Sequence, residues 1–334
     1  MSPRLAGASV QPVYFRNMRR LGQTDIEITP IGLGTWQFSE GKNIHGLVWR
    51  KVDEGETNEI VRAALDGGIN WFDTAEAYGG GSSERGLARA LGNAGKTNGD
   101  VVLATKWQPV LRTARSIGKT IDNRLESLAP FSIDLHQVHN PASFSSVDAE
   151  MTAMADLVEA GKIRAVGVSN FSAARMRQAH DALERRGLTL ASNQVKYSLL
   201  DRKIERDGVL ETAKELGVTI IAYSPLEMGL LTGKFHRDPE LLRTRPIGRR
   251  FQLRRKVERS RPVVEALEDL AEAHGVTPAQ VALSWLVSFH GDAVVAIPGA
   301  SKAEQARESA GALGVALSAE EMERLDQVAG PVQG

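Results

Sequence analysis

The chain has 334 residues, 42% of them hydrophobic and 25% charged, enough to bury a sizeable core as one domain or two, and it has no apolar run of membrane-span length. Lys plus Arg and Asp plus Glu both number 41, so the formal net charge is zero and bulk electrostatics calls for neither nucleic acid nor an anionic membrane. The absence of cysteine excludes thiol catalysis, disulfides and thiolate metal sites, and fits a reducing compartment.

Residues 1–17 hold no apolar secretory core, so a frayed tail on a cytoplasmic protein is expected, followed by one domain over residues 18–334. Two short strands around Gly22 to Asp25 predict an N-terminal β-hairpin, and the run Ile31 to Trp36 predicts a third strand. Gln37 to Gly55, with His45 and Trp49, reads as a long loop, and helical spacing then starts at Thr57 and stops at Gly67-Gly68. From there short apolar runs at 69–73, 101–106, 133–139, 163–168, 191–195, 219–223 and 293–297 alternate with segments of helical period. With the run at Ile31, this makes eight strand–helix units, too many for the usual open doubly wound sheet. The expected fold is therefore a closed α/β (β/α)8 TIM barrel with an N-terminal β-hairpin and extra C-terminal helices. Leu226 to Ser260 reads as a basic loop and Pro262 to His274 as an added helix. Capping boxes are expected at Thr277/Gln280, Ser301/Glu304 and Ser318/Glu321.

Two glycine-rich runs are decoys. Gly32-Leu-Gly34 supplies only two glycines of a dinucleotide fingerprint, and Gly229-Leu-Leu-Thr-Gly233-Lys234 is short of a P-loop and lacks its Ser/Thr. The arginines between Arg243 and Arg261 read as a solvated loop, or as a flap placing Arg249 or Arg250 on a phosphate. Neutral net charge weighs against nucleic acid.

The more informative pattern is register. Asp73 ends the second strand, Lys106 the third and His139 the fourth; Ser169-Asn170, Gln194, Tyr223-Ser224 and Pro298-Gly299 end or follow the next four. In a barrel these positions converge on the C-terminal rim, where such folds keep their chemistry.

The same stretches resemble the aldo-keto reductase family. The family's DTAxxYG stands as Asp73-Thr-Ala-Glu-Ala-Tyr78-Gly79, its strand-end lysine as Leu103-Ala-Thr-Lys106 and its histidine as Asp134-Leu-His-Gln-Val-His139. Gly167-Val-Ser-Asn170, Asn193-Gln-Val, Ala222-Tyr-Ser-Pro-Leu226 and Ile297-Pro-Gly-Ala-Ser301 follow in family order. The likeness runs from about Arg19 to about Val328. Asn140 departs from a frequent tryptophan and Ser309 from a frequent asparagine.

Carbonyl reduction needs a hydride donor, a proton donor and an electropositive setting. Tyr78 can supply the proton, Lys106 is expected to favour its phenolate, Asp73 to balance the lysine and His139 to orient the carbonyl oxygen. The resemblance implies that these four are the catalytic tetrad. It also implies a nicotinamide cofactor and a small carbonyl compound as substrate, and a 2′-phosphate met by Lys302 or Arg307 makes NADPH the expected cofactor in preference to NADH. Ser169, Asn170 and Gln194 suit the nicotinamide carboxamide, and Tyr223 offers a ring to stack on it. Ser224, Pro225, Leu226, Gly229 and Lys234 would follow the pyrophosphate, with Thr35, Trp36 and Arg249 nearby. Gly299, Ser301, Lys302, Gln305 and Glu308 would take the adenosine end, Lys302 or Arg307 meeting a 2′-phosphate. Trp36, Phe38, Trp49, Trp107, Tyr197 and Met228 are candidate pocket walls. The alternative is an NADPH-binding redox-sensing or regulatory subunit with little turnover.

Overall fold

A computed structural model describes residues 18–39, 52–244 and 247–330. The expected tail at 1–17, together with His45 and Trp49, lies outside the described residues. The hairpin forms from β1 (Arg19–Arg20) and β2 (Glu27–Ile28), paired antiparallel. Eight parallel strands follow: β3 (Leu33–Gly34), β4 (Trp71–Asp73), β5 (Val102–Trp107), β6 (Ile133–Val138), β7 (Ile163–Ser169), β8 (Leu190–Lys196), β9 (Thr219–Tyr223) and β10 (Val294–Ala296). Each pairs with its sequence neighbour, in the order β3 to β10. The first run closes on the last through the bridges Ile31 to Ala296 and Gly34 to Gly299, so the sheet is a barrel.

The outer layer is built from one amphipathic helix after another. Glu54–Asp66 opens on a capping box in which Asp53 accepts from the Glu56 N–H and the Glu56 side chain accepts from the Asp53 N–H. This start lies three residues before the expected one, because the cap falls in what reads as loop. Ser82–Asn93, Arg115–Leu128, Val147–Glu159, Ala173–Glu184, Val209–Leu216 and Pro278–Ser288 return the chain between later strands. Ala303–Gly311 packs beside Glu54–Asp66 and completes the ring. Thr277/Gln280 and Ser318/Glu321 form the expected capping boxes. Ser301/Glu304 does not: the helix starts at Ala303, and the Ser301 N–H and hydroxyl donate to Gln305 Oε1 instead.

Alternation along the strands sets the floor and the site. Trp71, Ala104, Leu135 and Ile221 fill the bore, and two residues further on the same faces carry Asp73, Lys106, Gln137 and Tyr223. In β8 an extra residue interrupts the pairing with β7, so Gln194 arrives three positions after the bore-filling Ala191. The hairpin corks the opposite end, with Leu21, Ile26 and Ile28 packed under the same cluster. Gly22 makes this approach possible: its φ is +58°, its N–H donates to Thr219 Oγ1 at 2.7 Å, and a Cβ would sit 2.5 Å from Ala191 O.

The basic stretch is mostly helical, contrary to the loop expected of it. After a 3-10 segment (Glu227–Thr232) and the short helices Lys234–Arg237 and Glu240–Arg243, one helix runs from Ile247 to His274 through Pro262. Leu253 and Val257, one turn apart, bury against Leu230 and Phe235 and fold this half down. One turn before the proline, the Val257 carbonyl accepts from both His236 Nε2 and Ser260 Oγ. Proline marks a helix start in sequence because it lacks an N–H, but here packing carries the helix across it. Among the described residues no helix is long and apolar enough to cross a membrane.

Candidate active site

Asp73 and Lys106 form a completely buried ion pair at the C-terminal ends of β4 and β5. The ammonium also donates to the Thr74 carbonyl at 2.8 Å and to the Tyr78 hydroxyl at 3.4 Å. The His139 ring stands edge-on to the Tyr78 ring with centroids 5.7 Å apart. The four residues expected to act together are therefore neighbours at one mouth of the barrel, with Tyr78 and His139 still partly exposed.

Tyr78 is placed by the shape of its loop. Gly79, Gly80 and Gly81 all have positive φ and turn the chain into helix Ser82–Asn93, and a Cβ on Gly79 would lie 2.6 Å from Ser39 O. Glu76 anchors the same loop to its neighbours. Its Oε1 accepts from Arg112 at 2.7 Å and lies 3.3 Å from Arg124, while its Oε2 accepts from the Gln108 N–H at 3.0 Å. Arg124 in turn sits 2.9 Å from buried Glu84, which accepts from Thr105 Oγ1 at 2.6 Å. These ionic contacts join the Tyr78 loop to the two units after it. None of Glu76, Glu84 and Arg124 stands out in the sequence, because their pairing depends on distant residues.

The electrostatics differ in one respect from expectation. Burial raises the Tyr78 pKa above its ordinary value; Lys106 pulls it back and Asp73 adds to the rise, so the net displacement is upward and not downward. For Lys106, burial alone would lower the pKa, but Asp73 and Tyr78 outweigh it and the ammonium is held charged. His136 faces away from the bore, where burial and Arg124 lower its pKa to about 4.

The expected cofactor residues divide into groups. Ser169, Asn170, Gln194 and Tyr223 come together: Ser169 Oγ donates to the Gln194 carbonyl at 2.8 Å, Asn170 Nδ2 donates to Ser169 Oγ at 3.0 Å, and the Tyr223 hydroxyl donates to Asn170 Oδ1 at 3.1 Å. The Gln194 amide donates to Asp73 Oδ2 at 2.9 Å, and so does that of Gln137 at 3.1 Å. Gln137 was missed. The signal available was a polar residue two positions before His139, on the same face of a mostly apolar strand.

Ser224, Glu227 and Met228 all have left-handed φ, and Pro225 and Leu226 lie between them. Glu227 fixes this turn, its buried carboxylate lying 2.5 Å from Lys196 and 3.0 Å from Lys256. Lys234 Nζ lies where a Cβ on Gly229 would be 2.7 Å away, so the ammonium rests on bare backbone. Gly299, Ser301, Lys302 and Gln305 lie at the start of helix Ala303–Gly311, whose N-cap, Lys302, makes no side-chain cap, and Glu308 lies further along it. Trp36 is half-buried, and the Arg249 side chain lies outside the described residues.

Thr35 does not fit a ligand role. It is fully buried, and its hydroxyl bonds the Asp73 carbonyl and Ser83 Oγ, each at 3.0 Å. Three of the expected pocket walls are core instead. Trp107 faces outward and donates to Ser116 Oγ, Phe38 packs among the outer helices, and Tyr197 donates to Glu205 at 2.5 Å behind the barrel wall. Met228 packs against the small cluster around Phe235.

A sequence profile described as the Aldo/keto reductase family matches residues 30–329. The chain belongs to the aldo-keto reductase family. It is 37% identical over 303 residues to an uncharacterised oxidoreductase of Mycobacterium tuberculosis (strain H37Rv), covering 91% of this chain and 90% of the relative. It is 32% identical to the chloroplastic pyridoxal reductase of Arabidopsis thaliana, over 91% of this chain and 84% of that one. Among solved structures it is similar to an aldo-keto reductase from Klebsiella pneumoniae in complex with NADPH, with a TM-score of 0.71, 26% identity and coverage of 93% and 94%. The protein is thus a (β/α)8 oxidoreductase of this family, whose substrates are small carbonyl compounds.

Proposed function

We propose that this aldo-keto reductase uses NADPH to reduce aldehydes or ketones to alcohols, with Tyr78 as general acid. The observation that carries the reading is the 3.4 Å contact between the Lys106 ammonium and the Tyr78 hydroxyl, backed by buried Asp73 at the barrel mouth. As a carbonyl is reduced its oxygen becomes basic, and the phenol is placed to give it a proton. Lys106 then stabilises the phenolate left behind, and Asp73 keeps the lysine charged and in place. His139, beside the phenol ring, is positioned to donate to the same oxygen and orient the carbonyl.

The residues present fit the cofactor. When bound, NADPH supplies the hydride from its nicotinamide ring. Ser169, Asn170 and Gln194 would hold the carboxamide, and Tyr223 would lie against the ring. The turn from Ser224 through Pro225 and Leu226 to Gly229, with Lys234 against its bare backbone, would hold the pyrophosphate. Ser301, Lys302, Gln305 and Glu308 would hold the adenosine end, where uncapped helix N–H groups and the Lys302 and Arg307 charges favour a 2′-phosphate over a hydroxyl. The NADPH complex of the Klebsiella relative supports this preference.

The test is stopped-flow mixing of the protein and excess NADPH with a panel of aldehydes and ketones. Wild type should oxidise the cofactor over many turnovers, and Tyr78→Phe should be slower by about a thousandfold, within the range for loss of a general acid. Comparable rates in the two proteins would remove Tyr78 from the chemistry. A single slow turnover in both would favour a sensor over a reductase.

A further inference from the structure

Gln137 enters the bore from β6, two residues above Leu135, and is fully buried. Its Nε2 donates to Asp73 Oδ2 at 3.1 Å, the same oxygen that accepts from Gln194 Nε2 at 2.9 Å, and Gln194 Nε2 lies 3.4 Å from Gln137 Oε1. An amide can present either end to a neighbour, but an ionised carboxylate only accepts. Both amides must therefore turn nitrogen toward Asp73. One Gln194 N–H meets Asp73 and the other meets Gln137, so the carbonyl oxygen is the end of Gln194 left for a bound molecule. Reversing the Gln194 amide would give up both bonds and set two carbonyl oxygens against each other and one against a carboxylate.

We infer that Gln137 is a positioning residue that, together with Asp73, locks the Gln194 amide so that an acceptor faces the nicotinamide carboxamide. The inference rests on the cofactor reading given above and deepens it. The site then selects a ring substituent bearing an N–H, and does so through a residue that need not touch the cofactor. The same two donors also share the Asp73 charge, which ties cofactor recognition to the carboxylate that holds Lys106.

The test is binding without turnover. Quenching of protein fluorescence measures the Kd of NADPH and of its reduced acetylpyridine analogue, which carries an acetyl group in place of the carboxamide and so has no N–H there. Wild type should prefer NADPH about tenfold, which corresponds to about 1.4 kcal/mol, the scale of one hydrogen bond. Gln137→Met keeps the length but neither hydrogen-bonding group; Asp73 still favours one end of Gln194, but the second bond and the oxygen–oxygen clash that oppose reversal are gone, so the preference should fall below about threefold while the analogue's Kd stays within about twofold. Asp73→Asn reaches the same end by another route, since an amide can accept or donate and frees Gln194 to turn. It decides the matter if Gln137→Met does not fold. A wild-type preference retained in either variant overturns the inference, as does equal wild-type affinity for the two cofactors, and both leave the NADPH reading standing. Wild type that binds neither compound overturns that reading as well.

Discussion

Two tyrosines show how the same side chain meets opposite surroundings. Tyr78 lies in the barrel mouth with an ammonium 3.4 Å from its hydroxyl and a partly exposed edge. Tyr197, at the end of β8 but behind the wall, donates to the Glu205 carboxylate at 2.5 Å and is wholly covered. Arg202 completes that second cluster: it pairs with Glu205 at 2.7 Å and Asp326 at 2.5 Å and lies over the rings of Trp285 and Phe289. His290 adds a contact to Glu205 at 3.3 Å. Burial raises the Tyr197 pKa and Glu205 raises it further, so the phenol is held as a donor to a fixed partner. At Tyr78 burial also raises the pKa, but the cation opposes it and the hydroxyl faces the mouth. Residue type is shared; the neighbour is a cation at one tyrosine and a carboxylate at the other, and only Tyr78 keeps an edge open to the mouth.

The comparison is broken most directly by removing each tyrosine's partner or hydroxyl. Lys106→Met should lower kcat for carbonyl reduction by roughly a hundredfold or more, since on the proposed mechanism the ammonium stabilises the phenolate that proton transfer leaves behind. Tyr197→Phe should leave kcat within about threefold and lower the Tm, as expected for a lost buried hydrogen bond costing about 1–3 kcal/mol. Steady-state rates and thermal melts of the two variants check this, and the reverse pattern would mean that the roles are exchanged. A smaller effect, about tenfold in kcat, is expected for Glu76→Gln, because the Tyr78 loop would lose its charge contacts with Arg112 and Arg124 while the cofactor residues stay put. The Kd of NADPH should remain within about twofold. A fall in Tm with unchanged kcat would show that the loop is placed without Glu76.

The smallest effects are on acid stability. The folded-state pKa of His136 is lowered from 6.5 to about 4, chiefly by burial, so the folded protein resists protonation that the unfolded chain accepts. Its contribution is whole above pH 6.5 and is lost as pH falls from 6.5 toward 4. Burial alone would raise the Glu205 pKa, but hydrogen bonds from His290, Arg202 and Tyr197 prevail and lower it from 4.5 to about 2. Stability from this group is present above pH 4.5 and is lost as pH falls toward 2. Denaturant melts against pH should show His136→Gln flattening the upper limb by about 2 kcal/mol and Glu205→Gln flattening only the lower one. A single limb insensitive to both changes would show that neither cluster governs acid unfolding.

The barrel was legible because each strand carries its own signal. Short apolar runs bounded by turn residues recur at the right spacing, and all eight appear where expected. That Asp73, Tyr78, Lys106 and His139 would be neighbours was legible for a related reason: residues at strand ends must share a rim once the strands are parallel and in register. Side-chain direction was not. Trp107 follows Lys106 directly, and a strand turns consecutive residues to opposite faces, so an aromatic expected in the pocket lies among the helices. Gln137 was hidden because its worth depends on Asp73, 64 positions away. The basic helix was hidden because Leu253 and Val257 are two apolar positions among arginines, and their burial depends on Leu230 and Phe235.

Local pattern was therefore enough for the strands, their order around the ring and the residues at their upper ends, since periodicity and chain direction are properties of neighbouring residues. Which charges meet, which phenol faces a cation, and which groups the Gln194 amide meets depended on packing. Those outcomes are set by distances of a few ångströms between residues that the chain keeps far apart.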